Sequence, residues 1–87
     1  YLDLVRRAVA SATADLARLR AAVESGDTVR ARAIAHSMKG MAGTLGLAEL
    51  ASELANLETL LREGVPASGA LARVEESVAR LRTVLGP

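Results

Sequence analysis

Cysteine is absent from this chain of 87 residues, as are tryptophan and phenylalanine, and tyrosine occurs once. The absence of cysteine excludes disulfides, thiolate catalysis and zinc-finger sites together. Aromatic residues make up 1% and hydrophobic residues 51% of the chain, so a core must consist of Leu, Val, Ala, Ile and Met. Such a core favours closely packed helices over sheets, and we expect an all-α fold.

Long apolar runs are also missing. No stretch approaches the roughly 20 residues of a membrane span, and no signal-peptide pattern is present at the start. We therefore expect a soluble chain without direct membrane contact, and a cytoplasmic location is compatible with the lack of cysteine. The chain begins at Tyr1 rather than Met, which fits a segment of a longer protein.

The chain also lacks an excess of either positive or negative charge. Lys and Arg number 11 against 10 for Asp and Glu, and no basic stripe is interleaved with aromatic residues. This balance gives no reason to expect nucleic acid or an anionic membrane as a partner. Because no Pro-rich or Gly/Ser-rich linker is present either, residues 1–87 are predicted to form one small domain.

Apolar residues at helical spacing divide the chain into four segments. We expect helices over about residues 2–25 and 28–45, from Leu47 to near Gly64, and over about residues 67–85. Gly26 is suited to a left-handed cap of the first helix and Asp27 to capping the second. Short turns between amphipathic helices favour an antiparallel four-helix bundle with up-down-up-down topology. The predicted core positions are Val5, Val9, Ala12, Leu16, Leu19, Val23, Ile34, Met38, Met41, Leu45, Leu47, Leu50, Leu54, Leu57, Leu61, Leu71, Val74, Val78, Leu81 and Leu85.

The only histidine lies on the second segment, in the stretch HSMKGMAGTLG of residues 36–46. At 100° per residue, the apolar stripe through Ile34 and Met38 centres near roughly 10° and His36 falls near about 200°, so the ring is predicted to point away from the core. Glycine costs roughly 1 kcal/mol in a helix interior relative to alanine, which indicates a face kept bare for another purpose. The residues predicted to share the face of His36 are Arg32, Lys39, Gly40 and Gly43.

An exposed imidazole is largely neutral near pH 7 and nucleophilic at a ring nitrogen, so it can carry a transferable group. Lys39 lies one turn away and would offset the charge of a phosphoryl group. Glycines would allow the backbone of another protein to approach the ring. A metal site is disfavoured because one histidine without cysteine offers too few ligands, even with Glu58 nearby.

The stretch from His36 to Gly46, followed by Leu50-Ala51 and Leu57-Glu58, resembles histidine phosphotransfer (HPt) domains, which carry phosphoryl groups in two-component phosphorelays. The motif has the form H-x-[hydrophobic]-K-G-x-[small]-G-x-x-G, and its detail covers about residues 28–63. The resemblance implies a phosphorelay intermediate in which Nε2 of His36 accepts a phosphoryl group from a receiver-domain aspartate or a partner kinase and passes it to another receiver aspartate. By the same resemblance, Lys39 steadies the phosphoryl oxygens, Gly40 clears space beside the ring, and Gly43 and Gly46 are small positions further along.

The downstream sequence LETLL is similar to the phosphoacceptor domain of chemotaxis histidine kinases, in which a glutamate at the offset of Glu58 accepts a hydrogen bond from the histidine Nδ1. That likeness implies that Glu58 orients His36 and leaves Nε2 free for attack. The likeness is incomplete, since Ala55 stands where a second histidine is frequent and the chain stops at Pro87 without a further helix. The alternative for Glu58 is a solvated side chain paired with Arg62 at i+4.

No P-loop, kinase-type glycine loop or carboxylate cluster for Mg²⁺ is present, so no ATP-binding enzyme is predicted, although the parent chain could be a histidine kinase. The resemblance implies response-regulator receiver domains as partners, a histidine kinase domain as a further candidate, no cofactor in this domain and Mg²⁺ on the receiver. Docking is expected around His36, with Gly40 and Gly43 central and Arg32 and Lys39 as positive flanks. The alternative is a non-catalytic helical dimerisation or scaffold module in which His36 is incidental.

Overall fold

The computed structural model describes residues 1–86 and consists of four helices, with no β-strand in that range. The helices are α1 (Leu2–Glu24), α2 (Thr28–Thr44), α3 (Ala48–Glu63) and α4 (Ser68–Leu85). The all-α prediction is confirmed, and each predicted helix end lies within a residue or so of the observed one. The predicted domain boundary at Pro87 lies outside the described residues.

The turn between α1 and α2 follows the predicted chemistry. Gly26 has φ +76°, in the left-handed region where a side chain would clash with the backbone. The Asp27 carboxylate accepts a hydrogen bond at 3.1 Å from the backbone N–H of Arg30, which has no partner within the helix. These two residues end one helix and start the next within residues 25–27, so α2 begins at a defined point.

The four helices form a closed ring in which each packs against two others. The packed pairs are α1 with α2, α2 with α3, α3 with α4, and α4 with α1. Within residues 1–86, α1 therefore lies across the core from α3, and α2 lies across it from α4. No helix in this range combines the length and apolar character needed to cross a membrane.

The core is aliphatic, as predicted, and its fully buried large side chains come from all four helices: Leu19, Met38, Leu54, Leu57, Leu71, Val74 and Val78. On α1 the buried residue of the last turn is Ala22 rather than Val23, which is half-buried. On α4, Leu81 and Leu85 are also only half-buried, because they lie near the end of the bundle where fewer neighbours cover them.

The buried seam of α2 differs from the prediction. Its buried residues are Ala31, Ala35, Met38 and Ala42, whereas Ile34 and Met41 are only half-buried. The seam is therefore rotated by roughly 60° from the predicted stripe. Alanine lets α2 approach α1 and α3 closely, and the longer side chains reach the core from its edge. With this rotation, His36 still lies about 130° from the centre of the seam.

Candidate functional site

His36 lies at the middle of α2, and its side chain is 70% exposed. Its Nδ1 atom is 3.1 Å from Oε2 of Glu58, which comes from the neighbouring helix α3. One ring nitrogen is thus engaged by the protein, and the ring otherwise faces solvent. The geometric prediction that the imidazole projects away from the core agrees with the structure.

Glu58 contributes both carboxylate oxygens to α2. Oε2 contacts His36, and Oε1 accepts a hydrogen bond from Nζ of Lys39 at 2.7 Å. His36 and Lys39 are three residues apart and therefore adjacent on the helix surface, so one carboxylate reaches both. The Glu58 side chain is only 17% exposed, which restricts its freedom to turn away from these two partners.

The charge of Glu58 determines which ring nitrogen carries hydrogen. The hydrogen bond from Lys39, followed by that from His36, holds the pKa of Glu58 below its ordinary value of 4.5, although partial burial acts in the opposite direction. An ionised carboxylate can only accept, so the contact requires the hydrogen on Nδ1. In the neutral ring, the lone pair then resides on Nε2, which is the nitrogen available for attack.

The observed contacts of Lys39 and Glu58 differ from two expectations drawn from the sequence. Lys39 was expected beside an incoming phosphoryl group, and the structure places its ammonium on Glu58. The alternative of Glu58 paired with Arg62 along α3 is not the observed arrangement, because both of its oxygens contact α2. The contact from Glu58 to Nδ1 is present as the resemblance implied.

Over residues 3–85, the chain matches the family model described as the Hpt domain. The chain belongs to the Hpt domain family. No curated protein and no solved structure is matched by the sequence. Hpt domains are phosphotransfer carrier modules of two-component signal transduction rather than catalytic enzyme domains, so the predicted resemblance is confirmed at the level of the family.

In this Hpt domain, Gly40 and Gly43 lie on the exposed side of α2 beyond the histidine. A Cβ atom added at either position would have no other atom within 4 Å, apart from the helix backbone itself. The packing of the bundle therefore does not require glycine at these positions.

On the other side of His36, the Hpt domain has a shallow depression that the sequence analysis did not predict. Val29, Arg32, Ala33, His36 and Glu58 line it. Arg32 was predicted to share this face, whereas Val29 was overlooked because an exposed valine has no chemical signature of its own. Its spacing of seven residues from His36 is the signal that could have indicated it, since seven residues are about two helical turns.

The described residues contain no group of three or more His, Cys, Asp or Glu side chains placed to hold a metal ion. What the arrangement offers is one exposed nitrogen nucleophile, a carboxylate that fixes its tautomer, and a lysine that holds the carboxylate. Such a site can accept and release a group.

Proposed function

We propose that this Hpt domain is a phosphorelay intermediate that carries the phosphoryl group on Nε2 of His36. The observation that supports the proposal most directly is the exposed ring whose Nδ1 is engaged by Glu58. The lone pair of Nε2 attacks the phosphorus of a receiver aspartyl phosphate, the N–P bond forms, and the acyl phosphate P–O bond breaks. Aspartate leaves with the electron pair as a carboxylate, and the reverse sequence delivers the group to another receiver.

Glu58 has a chemical role in this step as a positioning residue. When Nε2 forms a bond to phosphorus while Nδ1 keeps its hydrogen, the imidazole gains positive charge. The Glu58 carboxylate, 3.1 Å from Nδ1, stabilises that charge, and its lowered pKa keeps it ionised for the purpose.

Lys39 is proposed to serve both the free and the phosphorylated site. In the free domain, its ammonium donates to Oε1 of Glu58 at 2.7 Å and holds the carboxylate in place. An ammonium has three donors, so Lys39 can keep this bond while it offsets the negative charge of a phosphoryl group on the adjacent turn.

The proposed partners are response-regulator receiver domains, with a histidine kinase domain as a further candidate donor. Helix α2 contains three basic residues and no acidic one: Arg30, Arg32 and Lys39. Arg32 and Lys39 were predicted to share the face of His36, and basic side chains there complement the acidic phosphorylation pocket of a receiver and would accelerate encounter. The receiver is expected to supply Mg²⁺, and no cofactor is proposed for this domain.

We also infer that the chain is a single domain whose helices alternate in direction. Residues 25–27, 45–47 and 64–67 are short connections between helices that pack against each other, which suits antiparallel neighbours. A cytoplasmic location fits the lack of cysteine and the proposed partners.

The experiment that tests the function is incubation of the full chain with a phosphorylated receiver domain. Wild type should acquire an acid-labile, alkali-stable phosphate, His36→Gln should acquire none, and the matched control Ser37→Ala should be labelled like wild type. Equal labelling of His36→Gln, or no labelling of wild type, would contradict the proposal. In the latter case, a concentration-dependent oligomer would support the dimerisation alternative.

A further inference from the structure

Val29 is a large apolar side chain that the bundle leaves in solvent. It is 79% exposed and lies in the first turn of α2, outside the hydrophobic core. The fold therefore gains little from a valine at this position, and a β-branched residue is less favourable in a helix than alanine. Exposed single apolar residues are common, so the surroundings of Val29 determine whether it has a role beyond the fold.

The position of Val29 relative to His36 is specific. Seven residues correspond to about 10.5 Å along the helix axis and a rotation of only about 20°, so the two side chains lie on one strip of the surface. Between them lie Ala33, which contributes a single methyl group, and Arg32. Together with Glu58 from α3, these residues line the depression described above.

The surface on the opposite side of His36 has a different character. Gly40 and Gly43 are exposed and present no side chain, so α2 offers only its backbone there. Apolar side-chain contact with a partner is thus available on the amino-terminal side of the histidine, while close backbone approach is available on the carboxyl-terminal side.

The charges of α2 indicate which partner fits this strip. Arg32 is exposed within the depression, and α2 contains no acidic residue. The carboxylate that lines the depression, that of Glu58, already has both oxygens engaged by His36 and Lys39. A second copy of this chain would bring a like-charged α2 against the first, which is unfavourable for a symmetric contact. An acidic pocket bordered by apolar side chains complements Arg32 and Val29 together, and the strip is continuous with the proposed phosphotransfer site.

On the basis of the proposed phosphorelay function, we propose that Val29 is an apolar anchor for the receiver domain. The docking surface would then extend from Gly43 past His36 to the first turn of α2. In this arrangement an aliphatic side chain of the receiver enters the depression against Val29 and Ala33, and Arg32 faces the acidic edge of the receiver pocket. Val29 would contribute to affinity and partner choice rather than to the chemistry at His36.

The chain contains a matched control for this proposal. Val84, near the end of α4, is 81% exposed, which is close to the exposure of Val29. Val29→Ala and Val84→Ala remove the same atoms, and both replacements favour the helix, so loss of folding is not expected. The full chain is tested with a panel of receiver domains loaded with acetyl phosphate and Mg²⁺, and separately with a small phosphoramidate that phosphorylates histidine without docking.

Val29→Ala should raise the receiver concentration needed for half-maximal transfer about five- to tenfold. Its labelling by phosphoramidate should equal that of wild type, and Val84→Ala should match wild type in both assays.

Unchanged receiver dependence in Val29→Ala, with His36 still labelled, would overturn the role of Val29 as an anchor and leave the phosphorelay function intact. Failure of every receiver to label wild type would count against the phosphorelay function and the anchor together. A wild-type dimer dissociated by Val29→Ala would identify a second copy as the occupant and also overturn the proposal.

Discussion

Glu58 gives one carboxylate oxygen to each of two side chains on α2, and this division determines the chemistry of the site. Lys39 donates to Oε1, so the oxygen facing His36 is free to accept from Nδ1. A carboxylate has two equivalent acceptors, and an amide does not. Replacing the carboxylate by an amide should therefore do more than remove a charge.

In Glu58→Gln, Lys39 is expected to hold the amide oxygen, which turns the NH₂ group toward His36. Nδ1 must then accept rather than donate, so the hydrogen moves to Nε2 and the nucleophilic lone pair is lost. A hydrogen bond to a charged group contributes about 1.5–3 kcal/mol, so phosphorylation should slow roughly tenfold or more. Ring ¹⁵N chemical shifts measure the tautomer directly, and transfer rates measure the consequence. Glu63→Gln changes an exposed glutamate of the same helix and is the control. Ring ¹⁵N shifts in Glu58→Gln equal to those of wild type would contradict the proposed change of tautomer.

Gly43 is expected to lower the stability of the folded domain and to favour phosphoryl transfer. Because a Cβ atom there would meet open space, Gly43→Ala should raise the free energy of unfolding by about 0.5–1 kcal/mol, measured by urea denaturation. The added methyl group should slow transfer from a receiver, and the bulkier Gly43→Leu should slow it further. Gly69→Ala, which also faces open space on α4, should leave transfer unchanged. Full transfer by Gly43→Leu would exclude close approach at this face.

Sequence alone located the nucleophile but not its complete surroundings. The direction of His36 followed from helical periodicity, and its contact with Glu58 followed from a family resemblance. The bond between Lys39 and Glu58 was not predicted, because it depends on how α2 and α3 are registered and on the rotamer of a long side chain. Val29 was missed because an exposed valine has no chemical signature until its neighbours in space are known.

At the scale of the helices, the turn residues predicted the junction of α1 and α2 correctly, whereas the hydrophobic pattern misplaced the buried seam of α2. Gly26 and Asp27 fixed the junction of α1 and α2 from sequence, since each satisfies a local backbone requirement. The buried seam of α2 was misplaced because hydropathy ranks Ile34 above Ala35, although burial favours the smaller residue where two neighbouring helices approach closely. Periodicity can indicate that a helix is amphipathic without showing which edge of the apolar face is covered.

Asp27 is predicted to stabilise the helix that carries the site. Asp27→Ala removes the acceptor of the Arg30 N–H and should lower the free energy of unfolding by about 1 kcal/mol, measured by urea denaturation. Asp27→Asn keeps a capping oxygen and should remain close to wild type. Equal losses in both variants would show that the charge of Asp27, rather than its hydrogen bond, is what α2 requires.

Across the whole molecule, glutamates with lowered pKa values join three of the four packed helix pairs. Glu58 joins α3 to α2 through Lys39, Glu49 joins α3 to α4 through Arg80 at 2.6 Å, and Glu75 joins α4 to α1 through Arg20 at 2.7 Å. In each case, the hydrogen bond from the basic side chain is the main cause of the lower pKa. Glu49 and Arg80 are well exposed, so their pair is screened by water and contributes least.

These shifts predict the direction in which acid acts on the bundle. A glutamate whose pKa is lower in the folded chain than its ordinary 4.5 binds fewer protons there than in the unfolded chain at mildly acidic pH. The pKa values of Glu58 and Glu75 are lowered in this way, so their stabilising contribution is fully present above pH 4.5 and is lost as the pH falls through the lowered values. The urea midpoint should therefore be level near neutral pH and fall steadily toward about pH 3.

The Glu75→Gln variant separates the loss of stability caused by protonation of Glu75 from acid unfolding of the bundle in general. The variant should be less stable than wild type at neutral pH, because Arg20 loses its charged partner, and the two unfolding curves should converge as the pH falls below the lowered pKa of Glu75. Glu63→Gln, exposed at the end of α3, is the control and should follow wild type throughout. A constant difference between Glu75→Gln and wild type down to about pH 3 would mean that ionisation of Glu75 does not couple α4 to α1.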